Sequence, residues 1–237
     1  MDGFTWNLLL AAAGIAFTHT LLGPDHYIPF LMLARANHWG RRRTLLITTL
    51  CGIGHVASSI LLGVIGIGAG VAATRLGMIE SVRGDWAAWA LIAFGFAYGA
   101  WGVRHAIRRK RGLEPHEHEG HAHLHAGGGG HHHHHPREID ASRPNVTFWT
   151  LFAIFVLGPC EPLIPLLILP ASRGRWDLMW GTALLFGAIT VTTMVILTLA
   201  GAAGLERIPT ARVERWSHAM AGAVIAASGL AVIGLGL

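Results

Sequence analysis

The chain has 237 residues, 52% of them hydrophobic and only 13% charged, with a mean hydropathy of +0.48. A soluble domain carries about 25% charged residues, so this composition excludes an ordinary soluble fold and points to an all-α membrane protein. The formal charge of +5 would suit a nucleic-acid partner, but the basic residues gather at the ends of apolar runs, where membrane topology accounts for them.

Apolar runs long enough to cross a bilayer, roughly 20 residues each, are read at 4–34, 44–72, 86–107, 147–171, 176–204 and 213–237. The first holds Leu22-Gly23-Pro24-Asp25-His26-Tyr27-Ile28-Pro29-Phe30. Gly23, Pro24 and Pro29 break a helix, and a bilayer tolerates a break only where the freed backbone is buried in protein or lines a cavity. Asp25 and His26 are ionisable groups inside a span, where each costs roughly 2.5–3.5 kcal/mol on insertion scales, so they read as functional. His19 lies seven residues before His26, about two helical turns, and the break would turn Asp25 and His26 inward.

The second run carries His55 beside Ser58 and Ser59 in mid-span, then the small-residue stretch Gly63 to Gly70. Trp86 and Trp89 open the third run as interfacial anchors do. Between the third and fourth runs lies a polar segment, 112–145, with no apolar period, expected to be disordered. It contains His116, His118, His121, His123, His125 and the run His131, His132, His133, His134, His135. Neutral imidazole is the commonest metal ligand among side chains, so this loop reads as metal-binding.

The fourth run repeats the motif as Leu157-Gly158-Pro159-Cys160-Glu161-Pro162-Leu163-Ile164-Pro165. Gly158, Pro159, Pro162 and Pro165 break this helix, and Cys160 and Glu161 stand where Asp25 and His26 stand in the first copy. A buried carboxylate needs a partner or a proton, which makes Glu161 a further metal ligand. The fifth run places Thr190, Thr192 and Thr193 in mid-span, where hydroxyls join helices. The sixth, rich in Gly and Ala from Ala219 to Gly236, allows close packing. The two cysteines, Cys51 and Cys160, lie in different apolar runs and form no disulfide framework. No cleavable signal peptide is expected, and no phosphate-binding loop motif occurs.

Six spans divide the chain into a first three-helix repeat over 1–111 and a second over 146–237. An odd number of helices per half forces opposite orientations, giving two inverted repeats with helices 1 and 4 broken at Gly-Pro motifs. Broken helices at corresponding places in two halves point to a transporter's binding site. Of the 18 Lys and Arg, 14 fall on the side of loops 1–2, 3–4 and 5–6. The excess of positive charge places that side, with the His-rich loop, in the cytoplasm, and both termini outside.

A histidine followed by Asp-His in the first helix, with a His-rich cytoplasmic loop, resembles the nickel/cobalt transporters (NicO and NiCoT). The second motif is similar to urease-accessory (UreH-like) and sulfite-exporter-like membrane proteins, all within the LysE-type transporter superfamily. The resemblance implies a secondary transporter for Ni²⁺ or Co²⁺, with His19, Asp25 and His26 as ligands. The chain departs from the nickel-permease signature in having five rather than four residues between His19 and Asp25-His26, and six spans rather than eight. CcdA-like and DsbD-like thiol-electron carriers are also similar in their broken helices, but they place one Cys in each half, and here Asp25 occupies the first position.

The expected function is therefore transport, with no enzymatic activity and no catalytic cofactor. The cargo is a divalent transition metal, Ni²⁺ or Co²⁺ first and Zn²⁺ remaining open, since mixed imidazole, carboxylate and thiol ligands suit late first-row ions. The metal site comprises His19, Asp25, His26, His55, Cys160 and Glu161. A thiol-redox carrier and a sulfite or organosulfur anion exporter are the alternatives. Expected partners are the lipid of a bacterial-type inner membrane, the metal ion and, as an open question, a second copy of the chain; no nucleic acid is expected.

Overall fold

The computed structural model describes residues 2–110, 116–118, 121–123, 146–206 and 214–235. Among these, the helices run α1 Gly3–Leu22, α2 Ile28–Ala36, α3 Arg41–Gly68, α4 Ala73–Lys110, α5 Val146–Leu157, α6 Leu163–Ala171, α7 Trp176–Glu206 and α8 Ser217–Leu235. Five stretches of helix are long and apolar enough to cross a membrane: Gly3–Leu22, Arg41–Gly68, Ala73–Arg108, Trp176–Leu205 and Glu214–Leu235. The chain is an all-α, multi-pass membrane-type protein.

Both Gly-Pro motifs break a helix. Gly23 closes α1 by donating its amide to the His19 carbonyl (3.0 Å). Its ψ of 97° then takes the backbone out of the helix, as the residue before a proline prefers. Pro24–His26 form one turn of 3₁₀ helix before α2. In the second half Gly158 closes α5 on the Ile154 carbonyl (2.9 Å), and Leu163 opens α6 on the Cys160 carbonyl (2.8 Å). Pro162 closes the second break as the N-cap of α6, whereas Pro29 and Pro165 break nothing. Pro29 stands in the first turn of α2, and Pro165 near the start of α6, positions where a missing amide proton costs nothing.

Packing is reciprocal between the two halves. α3 lies against α7 and α4 against α8; α1 meets α7 as α5 meets α3, and α2 meets α8 as α6 meets α4. The α4–α8 contact runs backbone to backbone. A Cβ on Gly95 or Gly102 would overlap the amides of Ala226 or Ala219, and one on Gly222 would overlap Gly99. Helices in lipid gain little from hydrophobic exclusion, so small residues that admit such close approach are what holds them. Tyr98 ties α4 to the end of α2 and the start of α8: its hydroxyl accepts from Asn37 Nδ2 (2.9 Å) and lies 2.8 Å from His218 Nδ1.

Two buried clusters fill the interior. One joins Ala12 and Ala16 of α1, Val56 of α3, Leu163 and Leu167 of α6 and Phe186 of α7. The other joins Phe30 and Leu33 of α2, Cys51 of α3, Leu91 of α4, Phe155 of α5 and Met194 of α7. Cys51 and Cys160 fall in different clusters and both are free.

Two expectations need correction. The third span begins at Ala73, not near residue 86. Arg83 is therefore inside a helix rather than in a loop, and Trp86 and Trp89 lie well within α4 rather than at its end. Hydropathy misplaced this start because Glu80, Arg83 and Asp85 depress it locally, although Glu80 is wholly buried. In the polar segment, backbone pairing joins His116–His118 to His121–His123 as a short antiparallel hairpin. His125 and His131 to His135, and the rest of 112–145, lie outside the described residues.

Candidate metal centre

The two breaks bring together side chains that are far apart in sequence. His19 comes from the last turn of α1, His26 from the 3₁₀ turn and His55 from the middle of α3. One ring nitrogen from each lies within 4.8 Å of the others. The rings meet edge to face, with centroids 4.8 Å apart for His19–His26 and 5.0 Å for His26–His55. His26 and His55 are buried at 3% exposure each.

The hydrogen bonds fix which nitrogen faces the centre. His26 Nδ1 lies 3.1 Å from Asp25 Oδ1, and a carboxylate can only accept, so Nδ1 carries the proton. His55 Nδ1 lies 3.2 Å from the Phe155 carbonyl, which gives it the same tautomer. Each ring then keeps a lone pair on Nε2. The Nε2 atoms of His19 and His26 are buried with no hydrogen-bond partner, while that of His55 is 3.0 Å from Cys160 Sγ. An unsatisfied buried polar atom costs about 1–3 kcal/mol, so two side by side need an occupant. Three imidazoles binding a late first-row ion at about 2.0–2.1 Å would stand about 3.3 Å apart, so the widest pair closes by about 1.5 Å on binding.

Asp25 orients the His26 ring from behind, as carboxylates do for metal-bound histidines. Its contact is to Nδ1, away from the cluster. Cys160 is fully buried; its thiol, coming from the second break, touches His55 Nε2 at 3.0 Å but lies outside the three-histidine cluster. Glu161 is exposed and is not in the cluster, but it lines the same cavity of about 530 Å³ as His19, Asp25, His26 and His55, together with Ser81, Gly84 and Asp85. Glu161 also lines an adjoining groove of about 390 Å³ that follows α6 to Ser172. Thr190 lies in the interior with its hydroxyl buried and unpartnered.

The imidazoles themselves crowd both glycines, severely at the first break and more mildly at the second. A Cβ on Gly23 would overlap His26 Nδ1 and stand 2.9 Å from its Cε1; one on Gly158 would stand 3.1 Å from His55 Nδ1. Sequence reading missed Glu80 and Arg83, an ion pair of 2.7 Å one level from the centre. Their spacing of three residues, which puts opposite charges on one helix face, was the available signal.

No family model, curated protein or solved structure matches this chain.

Proposed function

We propose that this protein is a secondary transporter that carries a divalent transition metal ion, Ni²⁺ or Co²⁺ first, through an intramembrane site between two broken helices. One observation carries this reading. Three imidazoles converge inside a membrane-type helix bundle, with the Nε2 atoms of His19 and His26 buried and unpartnered. Neutral imidazole nitrogen with a nearby thiol is a ligand set for late first-row ions. An ion arriving with its water shell exchanges water for His19, His26 and His55, and Cys160 supplies a fourth ligand from the other half.

The same reading takes α1 with α2 as one span and α5 with α6 as another, making six. Exchanging α1–α4 with α5–α8 maps the principal helix contacts onto each other, which supports two repeats related by a pseudo-two-fold axis. With three spans per repeat the halves run in opposite senses, and the distribution of Lys and Arg puts the His-rich loop in the cytoplasm. There it would gather metal on the inner side, through His116, His118, His121, His123, His125 and His131 to His135. The carboxylates of Asp25, Asp85 and Glu161 around the cavity favour a cation over an anion. The placing of Cys51 and Cys160 in separate clusters weighs against a dithiol relay.

The test is Co²⁺, Ni²⁺ and Zn²⁺ binding by purified protein, compared with the same protein carrying His26→Ala. Loop histidines bind metal in both, so the difference reports the centre. One equivalent lost on substitution supports the site and identifies its ion. Identical stoichiometry and affinity for all three ions would refute it.

A further inference from the structure

The ion pair of buried Glu80 and part-buried Arg83 takes no part in the ligand set above, yet it touches both α3 and the second helix break. Arg83 Nη1 donates to Glu80 Oε1 at 2.7 Å. Its Nη2 donates to Ser58 Oγ and to the Val156 carbonyl, both at 2.9 Å, and approaches the Gly158 carbonyl at 3.5 Å. Glu80 Oε2 accepts from Ser59 Oγ at 3.3 Å, and Ser59 Oγ in turn accepts the Cys160 amide at 3.0 Å. Ser58 donates to the His55 carbonyl at 2.8 Å. Two lines of hydrogen bonds therefore run from one ion pair, one to the backbone of His55 and one to the backbone of Cys160.

The chemistry of the break explains why a charged pair is here. α5 stops at Leu157, so its last carbonyls have no helical partner, and Pro159 brings no amide proton. In lipid those carbonyls need a donor from elsewhere. A guanidinium offers five donors in a fixed fork, which an ammonium cannot match. For stability alone an apolar pair would serve as well, because desolvating two charges cancels most of their attraction. Glu80 also cancels the Arg83 charge, so the pair offers no net repulsion to a nearby cation.

The geometry points to Arg83 and Glu80 as positioning residues of the metal centre, which pin the second helix break so that the Cys160 thiol faces His55 Nε2. The role of the thiol toward metal rests on the transporter reading; the pinning does not. Together the pair sets whether the centre binds its ion through nitrogen alone or through nitrogen and sulfur.

The experiment uses the full chain with Cys51→Ser, so that Cys160 is its only thiol, and Co²⁺ as the probe. A thiolate bound to Co²⁺ gives a near-ultraviolet charge-transfer band that the loop histidines cannot produce. In parallel, a maleimide reports how freely Cys160 is reached without metal. Glu80→Gln and Arg83→Lys keep the size of each side chain, and Arg83→Met removes the charge. The expected result is a band in the parent, absent with Cys160→Ser, and roughly tenfold weaker Co²⁺ affinity in the Glu80 and Arg83 variants, the scale of losing a group that orients a ligand. Labelling of Cys160 should rise by a similar factor, with Arg83→Lys intermediate. An intact band with unchanged labelling in both Glu80→Gln and Arg83→Lys overturns the positioning role and leaves the metal site standing. No band in the parent, with labelling still accelerated in the variants, upholds the positioning role and refutes thiolate ligation of metal.

Discussion

His55 Nε2 and Cys160 Sγ stand 3.0 Å apart, though 105 residues separate them in the chain. The contact joins the middle of an unbroken helix, α3, to a helix break in the opposite half. Because His55 Nδ1–H donates to the Phe155 carbonyl, the nitrogen facing the thiol carries a lone pair, and the thiol proton is what lies between them. A divalent ion that displaces that proton gains an imidazole and a thiolate in one step.

Gly23→Ala should cripple the centre without unfolding the bundle. The added methyl overlaps the His26 ring and must push it from its place beside Asp25, and overpacking of this kind costs about 1–3 kcal/mol. At the upper end that is a hundredfold loss in metal affinity. Gly14→Ala, with nothing within 4 Å of the new Cβ, is the matched control and should bind as the parent does. Isothermal titration with Co²⁺ separates the two.

Asp25→Asn should weaken metal binding by about 10–100-fold and not abolish it, as expected when a group orienting a ligand histidine is changed. His26→Ala, by contrast, removes the ligand atom and should eliminate the intramembrane equivalent. Equal and complete loss from both substitutions would show that Asp25 binds the ion directly.

Glu161→Gln should leave equilibrium binding at the centre near the parent value while slowing metal uptake into liposomes. The carboxylate is exposed and lines both the cavity and the groove along α6, so on the transporter reading it would meet an ion on its way to the centre. A loss of binding as large as that of His26→Ala would place Glu161 among the ligands.

Gly222→Val should be among the most damaging substitutions outside the centre. Even a Cβ at this position overlaps the Gly99 backbone, so α4 and α8 must separate along the seam. A destabilisation at or above the roughly 1–3 kcal/mol of ordinary overpacking is expected, measured by thermal unfolding in detergent. Gly234→Val, in open space on the same helix, should be neutral.

Much of this architecture was legible in the sequence because lipid punishes irregularity. A Gly-Pro pair inside an apolar run has to be a break with a purpose, so Gly23-Pro24 and Gly158-Pro159 located both turns. His19 and His26 meet although six residues separate them: a continuous helix would set them on one face about 10.5 Å apart along its axis, and the end of α1 at Leu22 with the 3₁₀ turn brings their rings to 4.8 Å. What was not legible was charge hidden by pairing. Glu80 and Arg83 lower hydropathy exactly as solvent-exposed residues would, and only their mutual contact and the orphan carbonyls of α5 reveal them as interior. Likewise, nothing in the order of residues tells that Asp25, at the cavity wall, spends one carboxylate oxygen on Nδ1 of its neighbour.

The three imidazoles belong to one half of the chain and the thiol to the other. An ion held by both is a removable rivet through the joint between the halves. On the transporter reading its residence time would also be the time for which that joint stays shut, with cargo and latch the same object. Ions that hold sulfur most firmly would be the slowest to leave, so the rate ranking among metals should run opposite to the affinity ranking.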